Sequence, residues 1–486
     1  MSRLNKISKK VVGLVSVMII APTLTVKAQD KKDVAEKDSI ISTFKMSAQI
    51  RPRFEVRDGQ FRPLSSNEQA AVLVSDRLRL TMDYAYKKDV LTLRIAPQVV
   101  SIWGQANLVQ GPENVGNKFA LHETWAKLKI SPSWHTQIGR QVISLDDERV
   151  FGALDWAQGA RVHDAVSIHF KKKKFEVKGF FAYNQNYKTL YGNNINNLTG
   201  NNYNSTDAAP HKLMQTVWAS LPAGENSKVT LLATNIGFQQ ATPTNAKAPE
   251  YYSQTFGANY FWSIPTGILQ GQVAGYFQTG RNSVGAKVEA YTATVNMKYY
   301  LFNANLRLTL GSDLISGNDV GKTQTKNSMF NPYFTTGHKF YGFMDYFHAG
   351  NGHKSAGISD NYLKMEWVKR VGKKQNWLSL ALDLHQFFTP NKVMDLNKSY
   401  KSNLGQEVDL TIKYEINEFV TLLGGYSFYA TNETIKFLKG VPNARFAQQW
   451  AWMSVNITPN LFEVKTPYKQ RPPHRDGVVE VRKIPF

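Results

Sequence analysis

Cysteine is absent from the 486 residues. Disulfides and thiolate metal sites are thereby excluded, and the fold must rest on hydrogen-bonded ladders and packing. Beyond the N-terminus no apolar run approaches the ~18 residues that a membrane helix needs, so helical spanning is excluded. Acids are scarce against bases, 37 Asp+Glu to 59 Lys+Arg, for a formal charge of +22. No H-E-x-x-H or H-x-x-x-H spacing, no G-x-S-x-G and no phosphate-binding glycine loop occurs. With 42% hydrophobic residues, the chain is either soluble or a barrel, which hides its membrane affinity by alternating its residues.

What is present favours the barrel. Arg3, Lys6, Lys9 and Lys10 precede an apolar stretch from Val11 to Ile20, and Val26-Lys27-Ala28 offers small residues at a cleavage site. Residues 1–28 therefore read as a secretory signal. Its five basic residues and absent acids leave the mature chain near +17. Such a charge also suits nucleic acid, but export argues against that partner. Residues 29–42 read as a flexible lead-in, 43–462 as the barrel and 463–486 as a basic periplasmic tail. Phe462 and Phe486 are both candidates for the terminal aromatic that barrel-assembly machinery reads.

Period-two alternation carries the barrel reading. Gln49, Arg51, Arg53, Glu55 and Arg57 share one face against Ile50, Phe54 and Val56. Arg77, Arg79, Thr81 and Asp83 oppose Leu78, Leu80, Met82 and Tyr84, and Arg94 and Gln98 oppose Leu93, Ile95 and Val99. Leu378, Leu380, Leu382 and Leu384 alternate with Ser379, Ala381, Asp383 and His385. Charge on one face and aliphatics on the other suit a water-filled lumen and lipid.

About eighteen strands are predicted, starting near Lys45, Ser75, Val90, Ala120, His135, His163, Lys174, Lys212, Ser227, Tyr252, Ile268, Ala286, Ala304, Asp360, Asn376, Leu404, Phe419 and Ala447. Short turns such as Ser131-Pro132-Ser133 and Phe302-Asn303 alternate with long Gly- and Asn-rich loops, as in bacterial barrels with short periplasmic turns. The expected fold is an all-β, antiparallel, up-and-down transmembrane barrel in the bacterial outer membrane. Trp103, Trp125, Trp134, Tyr299, Tyr300, Trp367, Trp377, Trp450 and Trp452 are expected to form interfacial girdles.

Three stretches resemble the alginate export family of outer-membrane proteins. They are Ile138-Gly139-Arg140-Gln141 leading to Asp147-Glu148-Arg149-Val150-Phe151-Gly152; Leu154-Asp155-Trp156 through Arg161 and Asp164; and Phe330-Asn331-Pro332 with Gly337-His338 through Asp345-Tyr346-Phe347. The resemblance covers the mature barrel. It implies eighteen strands and an electropositive pore for an acidic polysaccharide, alginate, with His338 and Asp345 as motif residues. Every periplasmic turn read here is short, so a dedicated periplasmic flap is not apparent.

Arg51, Arg53, Arg57, Arg77, Arg79 and Arg94 are expected to line the lumen, with Arg140, Arg149, Arg161 and Arg307 along the same path. Guanidinium stays charged and its fork matches carboxylates, as uronate sugars present. Lys364, Glu366, Asp383, Glu407 and Asp409 form a more acidic wall, so a transverse field is one reading; pairing of these charges across the lumen is the other. Asp147, Glu148, Asp155, Trp156 and Asp164 read as an inward constriction loop anchored by Arg140 and Arg149. Consecutive acids there point different ways and lack EF-hand spacing, against catalysis or calcium. His338 is expected to hydrogen-bond within its loop rather than hold metal, and no cofactor is implied. The function expected is a channel without energy coupling for anionic or sugar-like solutes, its partners lipid, assembly machinery and an anionic saccharide. A polysaccharide-degrading enzyme and a non-conducting structural barrel are the alternatives.

Overall fold

The computed structural model describes residues 40–467 except 60, 88, 105–117, 186–210, 240–248, 348–352, 373–375 and 397. The expected signal, and the expected tail beyond Pro467, lie outside the described residues. Eighteen antiparallel strands close into a barrel. They are β1 (Ile40–Ile50, resuming as Arg53–Arg57), β2 (Ala71–Tyr86), β3 (Leu91–Ile102), β4 (Lys118–Lys129), β5 (Trp134–Gln141), β6 (His163–Lys172), β7 (Phe175–Tyr183), β8 (His211–Pro222) and β9 (Ser227–Gln239). The ring continues through β10 (Glu250–Ser263), β11 (Leu269–Arg281), β12 (Lys287–Leu301), β13 (Leu306–Ile315), β14 (Ile358–Val371), β15 (Asn376–Phe388), β16 (Asn403–Glu415), β17 (Val420–Ala430) and β18 (Ala447–Ile457, resuming as Asn460–Pro467). Only the first two strands begin more than two residues from their expected starts. The outer strands reach Ile40 and Pro467, beyond the bounds of 43 and 462 expected for the barrel.

Sequential neighbours pair around the ring, and β1 closes on β18 through Ile50↔Ile457 and Arg53↔Ser454 to Arg57↔Trp450. Both closing strands are interrupted near a proline, Pro52 in one and Pro459 in the other. Proline cannot donate to a ladder, so it sits where the strand bends. Its carbonyl still serves: Val455 N–H donates to Pro52 O at 3.2 Å and Ala48 N–H to Pro459 O at 3.1 Å. Closure leaves no strand edge to aggregate or to meet lipid unpaired.

Alternation holds along the strands. On β12, Tyr291 is 52% exposed and its neighbour Thr292 2%. The outer aliphatic surface ends in amide rows on the loop-rich side. Ser312 donates to Asn361 at 2.9 Å and Gln406 to Gln386 at 2.7 Å, all four in one register line across β13–β16. A second line joins Gln215, Asn235 and Gln254 on β8–β10 at 3.1 and 2.7 Å. Toward the short turns, Trp134, Tyr299, Trp377 and Phe419 stand exposed. The expected girdle is corrected elsewhere: Trp450 and Trp452 fall on the inward parity and are buried. Trp125 and Tyr300 also turn inward, donating to Glu123 at 2.8 Å and to Gln270 at 3.2 Å.

Two long loops turn into the interior. One joins β5 to β6, the other β13 to β14. Their apolar residues Val150, Phe151, Phe330, Phe334, Met344 and Phe347 are buried with Ile315, Phe387, Tyr429 and Trp450 from the strands. A short helix, α1 (Glu433–Lys439), lies between β17 and β18, capped by the Asn432 side chain and ended by Gly440 in the left-handed region.

Candidate functional site

The β5–β6 loop, residues 142–162, crosses the barrel. On one side Gln272 of β11 donates to Asp147 at 3.0 Å. On the other Arg77 of β2 donates to Asp155 at 3.0 Å. β2 and β11 stand half the ring apart, so a loop touching both must span the interior. Trp218 and Asn259 hold Asp146 at 3.0 and 3.2 Å. Buried Arg149 pairs with Asp147 at 3.2 Å and with Asp313 of β13 at 3.1 Å. Asp146, Glu148, Leu154 and Ala160 all take positive φ, between 48° and 71°. Four strained non-glycine residues in one segment persist only where surrounding contacts fix them.

The opposite wall supplies the arginines. Arg51, Arg77 and Arg79 converge on Asp155 at 3.6, 3.0 and 3.6 Å. Arg77 is 0% exposed, while the Asp155 side chain is 53% exposed. Arg51 also donates to Asp155 O at 2.7 Å and Arg53 to Trp156 O at 3.0 Å. The Arg53 guanidinium lies 4.4 Å over the Trp156 ring, a cation–π contact.

The β13–β14 loop, residues 316–357, packs on this first loop. His338 stacks on Trp156 at 4.5 Å and on Phe343 at 4.9 Å. Its Nδ1 meets Asp345 at 3.0 Å. Arg161 Nη1 ties the two loops by donating to Thr335 O at 2.7 Å. Met344 N–H donates to Glu407 at 2.7 Å and Phe343 N–H to Asp409 at 3.3 Å. Nearer the short turns the inner wall is open, with a cavity of about 570 Å³ bordered by Lys171, Lys173, Lys174, Lys228, Glu176 and Glu225.

A closed eighteen-stranded barrel narrowed by two inward loops has the build of a pore, and the alginate export family profile matches residues 42–441. The chain belongs to the alginate export family. Solved structures with a similar fold include OccK5 (OpdH) of Pseudomonas aeruginosa, at 10% identity and TM-score 0.57 over 86% of this chain and 98% of that one. OccAB3 of Acinetobacter baumannii matches at 13% identity and TM-score 0.56 over 87% and 99%. Pseudomonas aeruginosa OpdK, solved with vanillate, matches at 10% and 0.55 over 87% and 99%. No curated protein matches. Family and fold together make this an outer-membrane β-barrel channel.

Within this alginate export family barrel, the predicted residues divide by partner. Arg51, Arg53, Arg77 and Arg79 grip the first loop around Asp155 and Trp156. Arg57 donates to Met344 O of the second loop and lies 4.8 Å over the Trp450 ring. Arg94 pairs with Asp83 at 2.7 Å and Glu123 at 3.1 Å, and Arg307 with Glu366 at 3.0 Å. Glu148 lies in the first loop, its Oε1 accepting from Ser144 at 2.8 Å.

Two readings need correction. Arg140 does not anchor the loop: it sits opposite Asp164 in the β5–β6 register and pairs with it at 2.8 Å. Asp164 is accordingly a strand residue, outside the constriction. In the acidic wall, pairing is seen where Lys364 takes Asp383 at 2.8 Å, and Glu407 and Asp409 are buried, with loop N–H groups donating to them. Sequence reasoning placed Glu407 and Asp409 on the inward face but missed what they hold, because their partners are backbone N–H groups, which no residue type advertises. Among the described residues no three His, Asp or Glu side chains form a metal cradle.

Proposed function

We propose that this channel passes carboxylate-bearing, sugar-sized solutes by diffusion, uronates and their oligomers being the fitting class. One observation carries the reading: three guanidinium groups converge on the single, half-exposed carboxylate of Asp155. Asp155 stands in for a solute carboxylate, and the cluster keeps an excess of two positive charges beside the passage. Arginine forks suit carboxylates, and rings of basic residues favour anions. Family membership points the same way, and vanillate, found with OpdK, is itself a carboxylate. The lysines near the short turns extend the bias to one mouth as exposed point charges.

The test is a planar bilayer holding the purified full chain between unequal KCl solutions. The reversal potential should report anion preference, and added glucuronate should reduce chloride current more than equimolar glucose. Equal permeability of both ions, with glucuronate acting like glucose, would refute the proposal.

A further inference from the structure

The second loop enters the barrel as a strap, and its tip is seated on a carboxylate pair. Glu407 and Asp409 stand two residues apart on β16, so both side chains face inward from neighbouring positions. Each is 1% exposed. Two carboxyl groups this close, removed from water, cannot both stay charged without donors. The tip supplies them through the Met344 and Phe343 N–H groups. Arg57, across the ring closure on β1, takes Met344 O from the other side.

Seating also depends on a glycine. Gly342 has φ +79°, and a Cβ there would run into the Glu407 carboxylate. The backbone therefore lies directly against the acid. From this seat Phe343 stacks on His338, and His338 on Trp156 of the arginine-held loop. The two loops are clamped in series, arginines gripping one and carboxylates the other.

We infer that Glu407 and Asp409 are positioning residues that set the width of the passage by holding the tip of the 316–357 loop inside the barrel. The barrel itself does not need this contact, because its strands are tied to one another around the whole ring. Losing the seat should free the tip and leave the wall intact, with Arg161 still tying the loop at Thr335.

Single-channel conductance in KCl reads the width without reference to any solute, so it separates this inference from the proposed selectivity. Gly342→Val and Glu407→Ala are each expected to raise conductance by roughly two-fold, through widening of a constriction. Glu407→Gln keeps an oxygen to accept from Met344 N–H and should stay near the parent value. Retained heat-modifiable migration on gels checks that each barrel is folded. A second readout uses the absence of cysteine: Ser427 of β17 pairs with Asp409 and is 0% exposed. The thiol introduced by Ser427→Cys should resist a water-soluble maleimide in the parent and react once combined with Gly342→Val. Unchanged conductance with a still-protected thiol would overturn the inference. So would a Glu407→Gln channel as wide as the alanine variant, since charge rather than backbone acceptance would then hold the loop.

Discussion

Asp155 and Lys439 show how single side chains are tuned by what surrounds them. Asp155 neutralises one of three converging arginines while keeping half its surface accessible. Asp155→Asn should therefore increase anion selectivity, visible as a larger reversal potential. Its stability cost exceeds the ~1 kcal/mol of a fully exposed pair, because the Arg77 guanidinium left behind is buried. Loop carbonyls keep holding Arg51 and Arg53 in place. A fall in selectivity would mean that the loop had left its seat. Lys439, on α1, is buried and donates to Phe61 O at 2.8 Å. Burial lowers its pKa from 10.5 to about 7, since a buried ammonium loses its hydration. The unfolded loop then binds the proton more tightly than the folded one. Docking of this helix is penalised in full below about pH 7, and the penalty fades as pH rises toward 10.5. Limited proteolysis, normalised to an unfolded control, should find the 431–446 loop more resistant near pH 9 than near pH 6.5. Lys439→Met should remove that difference by raising resistance at the lower pH.

At the scale of strands and loops, the last segment of β18 decides closure. Phe462 packs on Phe44 at 5.7 Å. A chain ending at Ile457 loses the half-strand that covers the first part of β1. The unpaired edge would meet lipid with unsatisfied N–H and C=O groups, at several kcal/mol each. No heat-modifiable folded band should form; a folded, conducting truncation would show that β1 closes elsewhere. This scale also marks what was legible from sequence. Strands such as Leu378 to Leu384 announce themselves, because lipid and water impose a two-residue period that turns and loops interrupt. The inward course of 142–162 was legible too, from packed acids and arginines in a segment too long for a turn. Its anchors were not. Asp155 meets Arg77 across 78 positions and Arg149 meets Asp313 from half the ring away, distances set by barrel closure rather than by local pattern. Arg140 was misread because a long loop hides the register that places Asp164 opposite it.

At the scale of the whole molecule, two groups of cations differ in chemistry and in depth. Arginines gather where the two loops narrow the barrel and are largely spent on loop carbonyls and carboxylates. One group of lysines lies near the short turns, where Lys173 and Lys174 border an open cavity. The first set acts at contact distance, the second as a solvated field. Salt separates the two, since the Debye length shrinks from about 30 Å at 0.01 M to about 3 Å at 1 M. If lysines at the mouth supply most of the anion preference, reversal potentials at a fixed KCl gradient should collapse as total salt rises. Lys173→Gln combined with Lys174→Gln should then remove most of the low-salt preference. If the preference instead survives 1 M salt, it arises where ions touch guanidinium groups directly. In that case Asp155→Asn, not the lysine pair, would be the substitution that moves it. The passage has one selective region or two, and the salt series with these two variants distinguishes them.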